Sequence, residues 1–118
     1  MKALLIVDHG SVRCESNIVL EEVASLIQTL RPDLFVHFAH MEIAEPSIAR
    51  ALHTCIGKGA EEIIVLPYML APGRHASQDI PRLVAVVAKG YPNVLVRVTE
   101  PLGVHQKIAQ VVLERSRL

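Results

Sequence analysis

Short, continuously apolar runs alternate along this chain with longer stretches patterned at helical spacing, and that alternation limits the possible folds more than any other feature. Residues 3–7 (Ala-Leu-Leu-Ile-Val) carry no polar side chain, as expected of a strand in a sheet covered on both faces. Between Ile18 and Leu30 the apolar side chains fall at 19, 20, 23, 26, 27 and 30, and Arg31-Pro32-Asp33 follows; the spacing predicts a helix with a proline stop. Residues 34–39 predict a second strand, and its polar His37 marks an exposed, edge position. Pro46 opens a second helix with Ile48, Leu52, Cys55 and Ile56 on one face, and Gly57 and Gly59 end it.

The pattern then repeats. Ile63–Leu66 predicts a third strand, and Ile80, Leu83, Val84 and Val87 mark a helix closed by Gly90. Val94–Val98 predicts a fourth strand, followed by a helix bearing Val104, Ile108, Val111 and Val112. Four strand–helix pairs at a period of about 30 residues imply βαβ units around a parallel sheet. Right-handed crossovers restrict the strand order, and 2-1-3-4 is the expectation, within a three-layer α/β/α, flavodoxin-like single domain over residues 1–118. Ligands of such sheets bind beyond the carboxyl ends of the strands, near the point where strand order reverses.

Composition removes several classes of function. Twelve basic and twelve acidic residues give a formal net charge of zero, so the basic excess needed to neutralise nucleic-acid phosphates is missing. No segment approaches the roughly 20 apolar residues that span a bilayer, and the N-terminal run reads as a strand rather than a signal peptide. Cys14 and Cys55 are the only cysteines and form no CxxC pair, which points to reduced thiols in the cytoplasm rather than a cysteine-bound metal.

The strand ends hold the chemistry. Asp8-His9-Gly10-Ser11 follows the first strand, His40-Met41-Glu42 the second, and the third leads to Ala71-Pro72-Gly73-Arg74-His75. Two imidazoles, His9 and His75, and the Glu42 carboxylate therefore fall on one rim; such groups bind borderline divalent metals and accept protons near neutral pH. His40 and His105 lie near the same rim, whereas His37 and His53 fall inside elements and read as structural or surface residues. Glu45 reads as a first-turn acid favoured by the helix dipole, and Asp79 before Ile80-Pro81 as a helix N-cap. A dinucleotide or P-loop site is poorly served, because the turn from Asp8 to Asn17 holds a single glycine. A histidine-dependent phosphatase also places His-Gly after its first strand, but there an arginine precedes the histidine to hold phosphate. Here Asp8 would repel it.

The segments Asp8-His9-Gly10-Ser11 with Glu15-Ser16-Asn17, Ala39 to Ile48, Pro72-Gly73-Arg74-His75 with Asp79-Ile80-Pro81, and Pro101-Leu102-Gly103 together resemble the class II tetrapyrrole chelatases of the CbiX/SirB family. The likeness covers nearly the whole chain. It implies a chelatase-like fold and an active site of His9, Glu42 and His75. It also implies a reaction in which Co2+ or Fe2+ enters a sirohydrochlorin-type ring as two pyrrole protons leave, serving cobalamin or siroheme biosynthesis. The metal is then a substrate, and no permanently bound cofactor is implied. Short members of the family look like homodimers. One departure stands out: Val12 occupies the position after His-Gly-Ser where relatives often carry arginine, and Arg13 comes next.

Under that resemblance His9 and His75 deliver the metal and take up protons, with Glu42 as assisting base, although the residue types alone do not separate ligand from base. Ser11, Arg13 and Arg74 are the expected donors to the ring's carboxylates, and Met41, Met69 and Leu70 form an apolar wall. The competing expectations are a non-catalytic metal or tetrapyrrole carrier on the same scaffold and, more remotely, the phosphatase.

Overall fold

The computed structural model describes every residue except Pro72, and the backbone alone of His75. Four strands alternate with four helices: β1 (Lys2–Asp8), α1 (Cys14–Leu30), β2 (Phe35–His40), α2 (Ile48–Gly57), β3 (Glu62–Pro67), α3 (Arg74–Ala88), β4 (Leu95–Val98) and α4 (Gln106–Ser116). All pairings are parallel and the sheet order is β2-β1-β3-β4, as expected. β1 is central, which explains its unbroken apolar run. Ala3, Leu5 and Val7 face the larger core, beneath α2 and α3. Leu4 and Ile6 face the smaller one, where Leu20 and Ala24 of α1 pack. β2 is an edge strand, in agreement with the half-buried His37 in its middle, and burial pushes the His37 pKa down.

Register fixes the rim. Asp8 stands opposite His40 and Val7 opposite Pro67, so the residues after β1, β2 and β3 emerge side by side at one edge of the sheet.

Helix boundaries depart from the sequence pattern in ways that packing explains. α1 begins at Cys14 rather than Ile18, because its first turn is polar and leaves no periodic signal. Its entry is braced by Asn17, whose side-chain amide donates to the Ser11 carbonyl (2.8 Å) while its oxygen accepts from the Ser11 amide (2.9 Å). α3 begins at Arg74 and carries Pro81 in its interior, a placement that costs about 3 kcal/mol in an isolated helix. Ala76 and Ile80, four residues apart, are both fully buried in the larger core, and that burial continues the helix N-terminally past the proline. Asp79 is therefore not an N-cap; it lies within α3 and pairs with Arg82 at 3.2 Å.

α2 opens at Ile48 with Ser47 as its cap, the hydroxyl oxygen accepting from the Arg50 amide at 3.2 Å. Pro46 and Glu45 lie ahead of the helix, so Glu45 is not a first-turn acid. Its carboxylate accepts from the Ser47 amide (3.3 Å) and pairs with Arg50 (3.5 Å). The helix ends as the glycines predict. Gly59 takes φ +98, its amide donates to the Ile56 carbonyl and that of Ala60 to Cys55, which together form a Schellman closure.

Candidate functional site at the carboxyl ends of the strands

His9 and Glu42 are joined through the backbone. Met41 donates its amide to the Asp8 carbonyl (2.8 Å) and Glu42 donates to His9 (3.1 Å). The loop after β2 is thereby stitched to the loop after β1, and both side chains are exposed at the rim. Gly10 makes the approach possible. It sits at φ +90, and a Cβ there would lie 2.0 Å from the Glu42 carbonyl oxygen. Only glycine tolerates both the backbone region and the contact.

The segment carrying Glu42 is held tightly. His40 donates its amide to Pro46, closing the 41–46 loop back on itself. The Ala44 amide donates to Glu42 across Ile43, which takes φ 75. Such a turn is the rarer, strained form of γ-turn, and a β-branched residue at positive φ makes it more costly. Strain of this kind persists only where surrounding structure imposes it; here the two loop-to-loop hydrogen bonds on one side and the Ser47 cap on the other do so.

Beneath the rim lies a pair that sequence reasoning did not put together. The His40 side chain is 1% exposed and its Nδ1 lies 2.6 Å from Asp8 Oδ1. A carboxylate only accepts, so the proton sits on Nδ1 and the ring is held by the strand next to it. Asp8 directly precedes His9 and His40 lies two residues before Glu42, and the opposite register of Asp8 and His40 was the signal that would have paired them. His40 is thus a buried support and not a ligand-contacting group.

The remaining expected residues divide. Ser11 is half-buried, with its amide and carbonyl both engaged by Asn17 and its hydroxyl oxygen accepting from the Arg13 amide (3.0 Å). Arg13 is exposed and pairs with Glu15 at 3.6 Å. Arg74 is the exposed first residue of α3. The backbone of His75 lies in the first turn of α3, at the same end of the sheet; its side chain, and Pro72, fall outside the described residues. Among the described residues no three His, Cys, Asp or Glu side chains form a ready metal cage. Met41 and Met69 pack against the larger core, whereas Leu70 is exposed. His105 caps α4, its Nδ1 accepting from the Lys107 amide at 3.1 Å.

A cavity of about 340 Å³ opens at the carboxyl ends of β3 and β4, between Pro67, Ala76, Ser77, Thr99 and Glu100. A larger trough, about 670 Å³, runs along the flank between α3 and β4 and is lined by Arg82, Val86 and Lys89. It is remote from the loops after β1 and β2. Among the described residues no helix is long and apolar enough to cross a membrane.

Fold and site together define a small doubly wound α/β domain with imidazole and carboxylate groups where the loops after its first two strands meet. The chain belongs to the CbiX family, whose profile matches residues 3–117. It is 44% identical over 112 residues to the chloroplastic sirohydrochlorin ferrochelatase of Arabidopsis thaliana, a match over 95% of this chain and 50% of the relative. The crystal structure of a CbiX protein from Marinobacter aquaeolei VT8 superposes with a TM-score of 0.84 at 25% identity, covering 99% of this chain and 95% of that one. The sirohydrochlorin chelatase SirB from Bacillus subtilis subspecies spizizenii in complex with cobalt gives 0.82 at 27% identity, over 98% of this chain and 50% of the other. The chain thus spans about half the length of the plant and Bacillus relatives.

Proposed function

We propose that this chain, acting as one domain over residues 1–118, is a chelatase that inserts Co2+ or Fe2+ into a sirohydrochlorin-type tetrapyrrole. The observation that carries the reading is the junction of His9 and Glu42 through the Glu42 amide and His9 carbonyl. It ties together, through their backbones, two exposed residues that carry an imidazole and a carboxylate, on a chain whose relatives include a sirohydrochlorin ferrochelatase and a sirohydrochlorin chelatase.

Insertion requires a held cation, acceptors for two pyrrole protons, and a surface that grips a flat anion. The His9 imidazole offers a ring nitrogen to the incoming metal, and the first-turn position of His75 supports its assignment as a second ligand. Glu42, exposed and supported by a strained turn, is suited to accept a proton as the metal enters. The Arg74 and Arg13 guanidinium groups supply charge-assisted donors for ring carboxylates, and the Ser11 hydroxyl, whose oxygen already accepts from Arg13, retains its proton to donate. Metal and ring are both substrates. No resident cofactor enters the reading.

Homodimer formation belongs to the same proposal, because a rim of one 118-residue chain covers only one face of a macrocycle. So does a cytoplasmic location, supported by two unpaired thiols; the plant relative is chloroplastic.

The test is spectroscopic: metal-free sirohydrochlorin is mixed with protein and Co2+ or Fe2+, and the absorption change is followed. His9→Ala and Glu42→Gln should each slow insertion by about 100-fold or more. Rates near wild type in both would remove the site assignment. Ring or metal binding without any rate above the spontaneous one would identify a carrier instead.

A further inference from the structure

Ile43 combines three properties that seldom occur together. Its φ is 75, a region that glycine enters freely and a β-branched residue only under strain. Its side chain is 66% exposed, so burial within the chain does little to offset that strain. It also directly follows Glu42, in the loop bonded to His9. Among the described residues the only other non-glycine at positive φ is Arg117, which caps the C-terminal end of α4, an ordinary place for left-handed backbone. An exposed isoleucine alone would need no explanation. One held in this conformation does, because glycine would make the same turn without the strain.

The loop after β1 has a matching feature. Val12 is 85% exposed and stands at the apex of a three-residue turn, closed by the Arg13 amide donating to the Ser11 hydroxyl oxygen at 3.0 Å. Ile43 is the apex of the turn closed by the Ala44 amide donating to the Glu42 carbonyl at 2.8 Å. The bonds from Met41 to Asp8 and from Glu42 to His9 join the two loops, so each side of the junction carries one exposed apolar side chain on a pinned backbone. Met41 and Met69, two of the residues expected to form an apolar wall, pack instead against the larger core. Ile43 and Val12 keep apolar surface open beside the junction.

We propose that Ile43 and Val12 receive the apolar face of the tetrapyrrole, and that the strained turn serves to present the Ile43 side chain to it. The proposal rests on the chelatase reading above and adds the residues that recognise the face of the ring. A tetrapyrrole of this class is apolar across its faces and carries its carboxylates at the periphery. Sites for such molecules combine apolar lining with a few placed polar groups. Arg13 directly follows Val12 and is exposed, so an apolar contact and a donor for a peripheral carboxylate come from adjacent positions. Apolar contact with the face is made equally in the ground and transition states. It therefore lowers KM and leaves kcat alone.

Titration of metal-free sirohydrochlorin with protein, followed by absorption, reads ring affinity without turnover; insertion of Co2+ then gives kcat and KM. Ile43→Gly should weaken ring binding and raise the ring KM by about 10-fold, the equivalent of losing roughly half an isoleucine burial. Its kcat and Co2+ dependence should stay within about twofold, and its Tm should hold or rise as the turn relaxes. Val12→Ser should weaken ring binding by about threefold, whereas Ile43→Leu, which keeps the apolar bulk, should stay within about twofold of wild type. Unchanged ring affinity in Ile43→Gly, with wild type inserting metal, would overturn this proposal and leave the chelatase reading standing. A wild type that neither binds the ring nor inserts metal would remove both. A fall in Tm beyond about 4 °C would make Ile43 a packing residue, and altered sedimentation with unaltered ring affinity would assign it to a contact between copies. Either outcome defeats the proposal.

Discussion

Replacing Gly10 by alanine tests the junction of His9 and Glu42 directly. At φ +90 a Cβ costs roughly 1–3 kcal/mol on backbone grounds alone. The added carbon would also lie 2.0 Å from the Glu42 carbonyl oxygen, a backbone atom. Reaching ordinary contact means moving the two loops apart by about 1 Å or more, enough to lose the 3.1 Å bond from the Glu42 amide to His9, worth about 1 kcal/mol. The sum is roughly 2–4 kcal/mol. A domain of this size loses about 4 °C in Tm per kcal/mol, so thermal denaturation should fall by about 8–16 °C. Displacing a reacting group by about 1 Å costs on the order of 100-fold in rate, so the proposed metal insertion, followed by absorbance well below the new Tm, should drop at least that far. Gly57→Ala is the control: nothing lies within 4 Å of the added carbon, and alanine in the last turn of α2 should leave both readouts unchanged or slightly raise Tm. If Gly10→Ala matched wild type in rate and Tm, the close approach of the two loops would not position the site.

Other consequences follow from the same structure. His40→Leu should lower stability by about 2–3 kcal/mol in urea unfolding, because it leaves Asp8 facing an apolar neighbour, while Asp8→Asn, which keeps an acceptor for Nδ1–H, should cost less; equal losses would show that the hydrogen bond is unimportant. The Cys55 thiol is pushed up to about 12 by burial, and Cys14 is exposed. A thiol reagent at neutral pH should therefore label one cysteine quickly and the second only on unfolding; two fast labels would contradict the packing of α2. Burial lowers the His37 pKa, so the unfolded chain binds a proton that the folded one refuses as pH falls below about 6.5. Stability should decline over that window and level off below the folded pKa, and His37→Gln should flatten this part of the urea-midpoint profile; an unchanged slope would exclude His37 as its source.

The amino-acid order alone determined the four strand–helix units, their parallel arrangement and the central place of β1, because side chains buried on both faces leave a continuous apolar run that needs no tertiary knowledge to see. It also marked His9 and Glu42, since residues after the strands of a parallel sheet share a rim whatever the loops do. Helix starts were less legible: α1 opens on polar residues, and α3 runs through Pro81 only because Ala76 and Ile80 find a core. Tertiary structure decided that Asp8 and His40 pair, which depends on register between strands separated by a whole helix. It also decided that Gly10 lets two loops touch. The stripe on α4 predicted a helix and nothing about what it meets, for periodicity records which face is apolar and only three-dimensional packing shows whether a partner lies against it.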